Sequence, residues 1–172
     1  HSYGQSPFYL LYRDADGTPS ADNPWYNRQS NIANPSLSWG YDFNHDSPYT
    51  RALVDSVAAY WMNEYRVDGF RYDFTKGFSN TIYSNANDYA SAYDASRIAN
   101  LKRMASEVWK RNPDAYVICE HLADNTEEKE LSSAGLMLWG NMNNNACEGA
   151  MGFTENSKSD ISGAVYKKRT WS

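Results

Sequence analysis

Residues 67–73, Val-Asp-Gly-Phe-Arg-Tyr-Asp, form a short and mostly apolar run that ends in an acid. A second run of this kind, Ala-Tyr-Val-Ile-Cys-Glu, occupies residues 115–120. Short apolar runs of this length are typical of buried β-strands, which places Asp73 and Glu120 at the C-terminal ends of two strands. A helical pattern over about 93–111 separates them. This alternation of strand and helix predicts an α/β fold with a parallel sheet.

A helix is predicted immediately before the first run. Ser47 followed by Pro48 is a typical helix start, with the serine as N-cap and the proline at the first helical position. Apolar residues then recur at helical spacing until about Arg66, which predicts one buried face. These residues are Val54, Val57, Ala58, Trp61, Met62 and Tyr65.

The second run is followed by shorter elements. Residues 126–133 predict a helix with Asn125 or Thr126 as its N-cap, and residues 136–139 predict a third short strand. The remaining tail is predicted to be mostly loop, with one helix near 159–167.

The composition is that of a chain able to form a packed core. The sequence has 172 residues, of which 41% are hydrophobic and 22% charged, in accord with about one globular domain. The net charge is −5, and since there is no basic stripe we expect no nucleic-acid partner. No run approaches the roughly 20 apolar residues of a membrane span, so we expect no membrane partner. Cys119 and Cys147 are too few for a disulfide scaffold and lack zinc-site spacing.

The two acids have different predicted environments. Arg71 and Asp73 point to the same side of a strand because side chains alternate. A neighbouring guanidinium lowers a carboxyl pKa and keeps it ionised, which suits Asp73 to nucleophilic attack; a structural ion pair is the alternative. Glu120 follows mostly apolar residues, and desolvation would raise its pKa and suit it to general-acid work. An ordinary strand-end glutamate is the alternative there. A carboxylate pair of this kind is what glycosidic-bond cleavage uses.

Three motifs, in this order along the chain, resemble those of the α-amylase family of glycoside hydrolases, glycoside hydrolase family 13. Residues 39–48, Trp-Gly-Tyr-Asp-Phe-Asn-His-Asp-Ser-Pro, resemble the short Asp-Leu-Asn-type motif before the third barrel helix. Residues 69–76 resemble the nucleophile strand, and residues 118–121, Ile-Cys-Glu-His, resemble the acid/base strand. The segments near 123–131 and 138–143 resemble bacterial α-amylase-like enzymes with isoamylase or branching-type relatives.

This resemblance implies a partial (β/α)8 TIM barrel. About strands four to six would be present with their helices, together with the loop subdomain that follows strand three. Residues 1–46 would be the loop subdomain, and residues 47–172 the central part of the catalytic barrel. A closed barrel needs eight strands, so three strands would leave open sheet edges, which predict self-association of the isolated chain.

The resemblance also implies roles for individual residues. Asp73 would be the nucleophile and Glu120 the general acid/base. His1 falls where the family's Asn-His motif would end, and Arg71 would orient Asp73. The residues expected to bind an α-glucan substrate are His1, Arg71, Lys76 and His121. Lys76 and His121 would lie near the leaving-group side, with a solvated lysine and a supporting buried histidine as the alternatives.

The resemblance implies no required cofactor. Family members often carry a structural calcium ion near the loop subdomain, for which Asp42 is a candidate ligand. The family's usual asparagine ligand would precede His1, and its usual histidine after the lysine is Gly77 here. The sequence therefore leaves a structural calcium ion open.

One feature of the family is missing. The family uses a third acid, in a His-Asp pair after the seventh strand, and no His-Asp follows Glu120 in this sequence. His45-Asp46 precedes the nucleophile and is interpreted as part of a helix start.

The favoured interpretation is a fragment of a retaining hydrolase that cleaves α-1,4-glucosidic bonds in starch, glycogen or maltooligosaccharides. The first alternative is an α-glucan transferase or branching enzyme, which differs in whether water or sugar reaches the intermediate. The second is a catalytically incomplete glucan-binding fragment, because the third acid is missing. A binding module unrelated to glucan would rest only on the 15% aromatic content.

Overall fold

The computed structural model describes residues 6–32, 34, 40–83, 89–140, 142–155 and 159–161. Within these residues the chain forms five helices, three short strands and one 3-10 turn. In chain order they are α1 (Pro7–Leu10), α2 (Pro48–Glu64), β1 (Gly69–Tyr72), the 3-10 turn (Thr75–Gly77), α3 (Ala95–Trp109), β2 (Tyr116–Cys119), α4 (Asn125–Ser133), β3 (Met137–Leu138) and α5 (Asn143–Ala150).

The three strands form one parallel sheet in the order β1-β2-β3. Gly69 pairs with Tyr116 at one end of the β1–β2 ladder, and Tyr72 pairs with Cys119 at the other. Helices α3 and α4 connect the successive strands, which confirms the predicted α/β alternation. Three adjacent parallel strands are compatible with an arc of a (β/α)8 barrel, while the barrel itself and the boundary at residue 46 stay predictions.

The helices cover one face of the sheet. Val117 and Cys119 point into the core, and the buried side chains packed with them come from α2, α3, α4 and the ends of the strands. They are Ala58, Met62, Ile98, Leu101, Ala105, Val108, Ala115, Leu131 and Leu136. On the opposite face, Tyr116 and Met137 are exposed. Because side chains alternate along a strand, Glu120 lies on the same exposed face as Tyr116.

Gly69 sets how closely β1 and β2 approach each other. A Cβ atom at this position would overlap the backbone of Tyr116 on the paired strand. A residue without a side chain is therefore required for the two strands to keep this register.

The long helices begin as predicted. Ser47 caps α2, and its side chain accepts a hydrogen bond from the Tyr49 amide at 3.2 Å. For α4, however, the predicted cap is wrong: Asp124 is the N-cap and accepts from the amides of Thr126 and Glu127. An aspartate in this position satisfies two otherwise unpaired amides of the first turn.

The predicted apolar face of α2 is only partly correct. Ala58 and Met62 are buried in the core, whereas Val57, Trp61 and Tyr65 are exposed. The helix packs against α3, and the remaining apolar residues of the predicted face are not among the described core residues.

Two helices were not predicted. Helix α5 occupies part of the tail that the sequence predicted to be loop, and none of its residues is buried. It therefore has no apolar face from which periodicity could reveal it. The four-residue helix α1 lies in the region interpreted as irregular. The predicted helix near 159–167 lies largely outside the described residues.

The irregular segment before α2 packs through aromatic pairs and side-chain amides. Tyr26 stacks on Phe43 with ring centroids 4.5 Å apart. Asn80, beyond β1, donates to Asn44 at 2.7 Å and to Asp46 at 2.8 Å. These bonds tie the loop segment to the turn that follows the first strand. In the part of the chain that the structure describes, no helix is long and apolar enough to span a membrane.

We propose that the isolated 172-residue chain forms oligomers. The outer edges of β1 and β3 have no strand partner among the described residues, and unpaired edges are templates for pairing with another chain. Size-exclusion chromatography with light scattering should give a mass above that of one chain. A stable, well-folded monomer at micromolar concentration would contradict the prediction.

Candidate active site

The ends of β1 and β2 bring Asp73 and Glu120 to the same edge of the sheet. Asp73 directly follows β1, and Glu120 directly follows β2. The Glu120 amide donates to the Tyr72 carbonyl at 3.0 Å, which continues the ladder to the edge, and the Thr75 amide donates to the Glu120 carbonyl at 3.0 Å. Parallel pairing alone therefore places two acids that are 47 residues apart in sequence (120 minus 73) side by side.

One guanidinium group holds both carboxylates. Arg71 Nη1 donates to Asp73 Oδ1 at 2.5 Å, and Arg71 Nη2 donates to Glu120 Oε2. The Phe74 amide also points to Glu120 Oε2, at 3.4 Å. The predicted Arg71–Asp73 contact is confirmed, and the structure adds that the same arginine binds Glu120.

This arrangement changes the acidity of Asp73. A hydrogen bond from the Glu120 carboxyl and the adjacent Arg71 guanidinium lower the pKa of Asp73 from its ordinary value of 3.8. Asp73 therefore carries its charge at neutral pH. Its side chain is 65% exposed while that of Glu120 is 26% exposed, so the first carboxylate is the more open to an incoming ligand.

Trp139 lies beside the carboxylate pair. It directly follows β3, and its amide donates to the Cys119 carbonyl at 3.1 Å. The Arg71 guanidinium lies 4.3 Å from the centre of the indole ring, a cation–π contact. The indole is 46% exposed at this edge. Trp139 was not predicted to be a site residue. The available signal was an aromatic residue at the end of the third predicted strand.

Lys76 lies in the turn after β1 and is buried. Its ammonium nitrogen donates to Ser91 Oγ at 3.2 Å and lies 4.4 Å from the centre of the Tyr89 ring. These contacts tie the turn to the segment before α3. The predicted role of Lys76 in substrate binding stays a prediction, and His1 lies outside the described residues.

His121 is buried beneath the carboxylates. Its Nδ1 lies 2.9 Å from Thr75 Oγ1, and its Nε2 lies 2.8 Å from Glu127 Oε1. Its side chain is fully buried, which matches the supporting histidine that was the sequence-based alternative. A direct contact with substrate stays a prediction.

Below His121 lies a buried ion pair that the sequence analysis did not identify. Arg97 of α3 and Glu127 of α4 are both fully buried and are joined at 2.6 Å. Burial by itself would raise the pKa of Glu127, but hydrogen bonds from Arg97 and His121 lower it. The carboxylate therefore stays ionised within the core. No local pattern marked these residues, because the partners come from different helices.

Asp42, the candidate calcium ligand, contacts Asn31 in the loop segment. Asp42 Oδ2 accepts a hydrogen bond from the Asn31 amide, and burial raises the pKa of Asp42. Asn31 Oδ1 is buried without a hydrogen-bond partner among the described residues, and Asn31 Nδ2 lies 3.5 Å from the Gly77 carbonyl. Carboxylate, amide and backbone oxygens are the donors that calcium prefers, and a structural calcium ion at these residues stays a prediction. The described residues contain no group of three histidine, cysteine or acidic side chains that could hold a metal.

Comparison with known proteins identifies similar sequences. The chain is 30% identical over 118 residues to the 1,4-alpha-glucan branching enzyme GlgB of Vibrio parahaemolyticus, covering 61% of this chain and 14% of that protein. It is 28% identical over 116 residues to the enzyme of the same name from Bacillus caldolyticus, covering 65% of this chain and 16% of that protein. No model of a protein family matches the chain.

Similarity to these branching enzymes supports the resemblance of the chain to the α-amylase family of glycoside hydrolases. The chain spans 14–16% of the length of the curated relatives cited above.

The site also predicts how Arg71 affects the pKa of Asp73. Replacing Arg71 by Gln removes the cation beside Asp73, so the pKa of Asp73 should rise toward its ordinary value. The rise should be incomplete, because the hydrogen bond from Glu120 remains as the first cause of the lowering. A carboxyl-carbon NMR titration of Asp73 measures the change.

Arg28→Gln is the matched control, because it breaks an exposed arginine–aspartate pair with Asp14. This control should leave the titration of Asp73 unchanged. An Asp73 titration that is the same in wild type and Arg71→Gln would show that the guanidinium does not set its acidity.

Proposed function

We propose that this chain carries the reacting carboxylates of a retaining α-glucan-active enzyme. Asp73 acts as the nucleophile and Glu120 as the general acid/base. The observation that carries the proposal is the single guanidinium of Arg71 that joins both carboxylates at one sheet edge. Retaining glycosidases use two carboxyl groups about 5–5.5 Å apart in this way.

The chemistry proceeds in two displacements. In the first, Asp73 attacks the anomeric carbon while the protonated Glu120 gives its proton to the departing glycosidic oxygen, leaving a covalent glycosyl–Asp73 ester. In the second, Glu120 takes a proton from the acceptor, whose oxygen attacks the same carbon and releases Asp73. The hydrogen bond from Glu120 and the Arg71 guanidinium lower the pKa of Asp73 and so favour the ionised form that the first step needs. The exposed indole of Trp139 is positioned to pack against a bound sugar.

The acceptor decides between hydrolysis and transfer. The sequence analysis favoured water as the acceptor, with starch, glycogen or maltooligosaccharides as substrates. Five of the similar proteins are branching enzymes by name, which favours a glucan hydroxyl as the acceptor instead. We therefore propose glucan transfer of the branching type as the better-supported reaction.

A second candidate function is glucan binding without turnover. It was the second alternative of the sequence-based interpretation. The two candidates share the substrate and differ in whether the bond is broken.

Glu120→Gln and Asp73→Asn should each reduce turnover of amylose and soluble starch by at least about 10³-fold in the full natural chain, because each removes a reacting group. Glucan binding should persist in both variants. Glu64→Gln is the matched control, since Glu64 is an exposed residue at the end of α2. It should keep wild-type turnover.

The products of the same assay identify the acceptor. Branching predicts new α-1,6 linkages, released as short chains by a debranching enzyme, with little gain in reducing ends. Hydrolysis predicts reducing ends that rise with time. Near-wild-type turnover in Glu120→Gln would contradict the acid/base assignment, and a wild type that binds but never turns over glucan would support the second candidate.

We also propose a structural calcium site formed by the Asp42 carboxylate, the Asn31 amide oxygen and the Gly77 carbonyl. Calcium bound only by the folded state stabilises it by mass action. After chelation, added calcium should therefore raise the midpoint of thermal unfolding of wild type. Asp42→Ala should lose this response, whereas Asp22→Ala, at an exposed position, should keep it. A wild-type midpoint that is insensitive to calcium would overturn the site.

A further inference from the structure

Thr75 connects the C-terminal ends of β1 and β2. It lies in the turn after β1 and is completely buried. Its amide donates to the Glu120 carbonyl at 3.0 Å, and its hydroxyl lies 3.2 Å from the same oxygen. The turn that follows the nucleophile strand therefore holds the peptide group of the proposed general acid.

His121 extends the hydrogen-bond network around Thr75. Both of its ring nitrogens are engaged, one by Thr75 Oγ1 and the other by Glu127 Oε1. The Thr75 hydroxyl has one proton, and its distance to the imidazole nitrogen, 2.9 Å, is shorter than its distance to the Glu120 carbonyl.

The buried ion pair determines which imidazole nitrogen carries the proton. Arg97 donates to both oxygens of Glu127, at 2.6 and 2.8 Å, and the Asp94 amide donates to the second oxygen at 3.0 Å. An ionised carboxylate only accepts hydrogen bonds. His121 Nε2 must therefore donate, and in the neutral imidazole Nδ1 then accepts from Thr75.

The same arginine reaches the turn directly. Arg97 Nη1 donates to the Lys76 carbonyl at 2.7 Å and to the Ala90 carbonyl at 2.7 Å. Helices α3 and α4, the turn after β1 and the end of β2 thus meet in one hydrogen-bonded unit beneath the carboxylates. Second-layer bonds of this kind orient reacting groups, and a displacement of about 1 Å can cost about 10²-fold in rate.

We propose that His121 is a positioning residue: its Nδ1 accepts the Thr75 hydroxyl proton and so fixes the turn whose Thr75 amide holds the Glu120 carbonyl, and Glu127 and Arg97 keep the imidazole in its Nε2–H tautomer. This inference rests on the proposed function of Glu120. It assigns no contact between His121 and the substrate.

The tautomer is tested without any activity measurement. In the chain with nitrogen-15-labelled histidine, ring-nitrogen NMR should show a protonated Nε2 and an unprotonated Nδ1 for His121. The assignment uses His121→Gln, since the chain has only three histidines. A protonated Nδ1 with an unprotonated Nε2 would overturn the proposal.

The positioning role is tested by kinetics in the full natural chain. Thr75→Val removes the hydroxyl and keeps the shape, so kcat should fall about 10- to 100-fold while KM changes by less than about threefold. Thr75→Ser keeps the hydroxyl and should restore kcat to within about threefold of wild type.

Thr50→Val is the matched structural control. Thr50 is equally buried, and its hydroxyl donates to the Trp25 carbonyl at 3.2 Å, so its replacement likewise removes one buried hydrogen bond. It should lower the thermal midpoint about as much as Thr75→Val and leave kcat unchanged.

The outcomes separate the two proposals. Equal kcat losses in Thr75→Val and Thr50→Val, or in Thr75→Val and Thr75→Ser, would overturn the positioning role. Loss of turnover in Asp73→Asn with wild-type kcat in Thr75→Val would keep the proposed function and overturn this inference. A wild type without turnover would overturn the proposed function, while the tautomer would still decide how His121 is held.

Discussion

The ion pair between Arg97 and Glu127 is completely buried, and its guanidinium also donates to the backbone carbonyls of Lys76, Ala90 and Ala92. Removing one partner of such a pair typically costs about 3–5 kcal/mol, because the other charge is left uncompensated in the core. Few single substitutions at these two positions can therefore be tolerated. The pair joins two helices and the turn after β1, and the placement of the carboxylates above it depends on all three.

A second constraint lies at the sheet edge, where one guanidinium group pairs with two carboxylates. Arg71 binds the oxygens of Asp73 and Glu120, and its guanidinium rests against the Trp139 indole. The hydrogen bond from Glu120 and this guanidinium lower the pKa of Asp73. In the proposed mechanism Glu120 carries a proton when the bond breaks, so the same cation would have one neutral and one charged neighbour during the reaction. The fixed fork of an arginine is suited to this geometry, whereas a lysine would offer a single point charge.

The exposed face of the sheet explains why the acids are open to ligands. Helices cover the face that carries Val117 and Cys119, and the other face presents Tyr116 and Met137 as well as the site. The acids lie at the carboxyl ends of the strands, the edge at which α/β proteins place their binding sites. Similarity to branching enzymes accords with a glucan at this edge, which is the proposed ligand.

The sequence by itself determined the features that arise from neighbouring residues. Periodicity and capping residues located α2, α3 and the strands, and the position of an acid directly after each apolar run located Asp73 and Glu120. Arg71 was predictable from Asp73 because two residues on one strand side must be neighbours. These features depend on local geometry, which sequence spacing reports directly.

Only the tertiary structure decided the rest. Arg97 and Glu127 are 30 residues apart and meet because α3 and α4 pack on the same face of the sheet. The bond from Arg71 to Glu120 requires the register of β1 on β2, and the contact with Trp139 requires β3 beside them. The exposure of the aromatic residues Trp61 and Tyr65 of α2 was also decided at this level. Such contacts join segments that are distant in the chain, and no local pattern of residues encodes which segments will pack together.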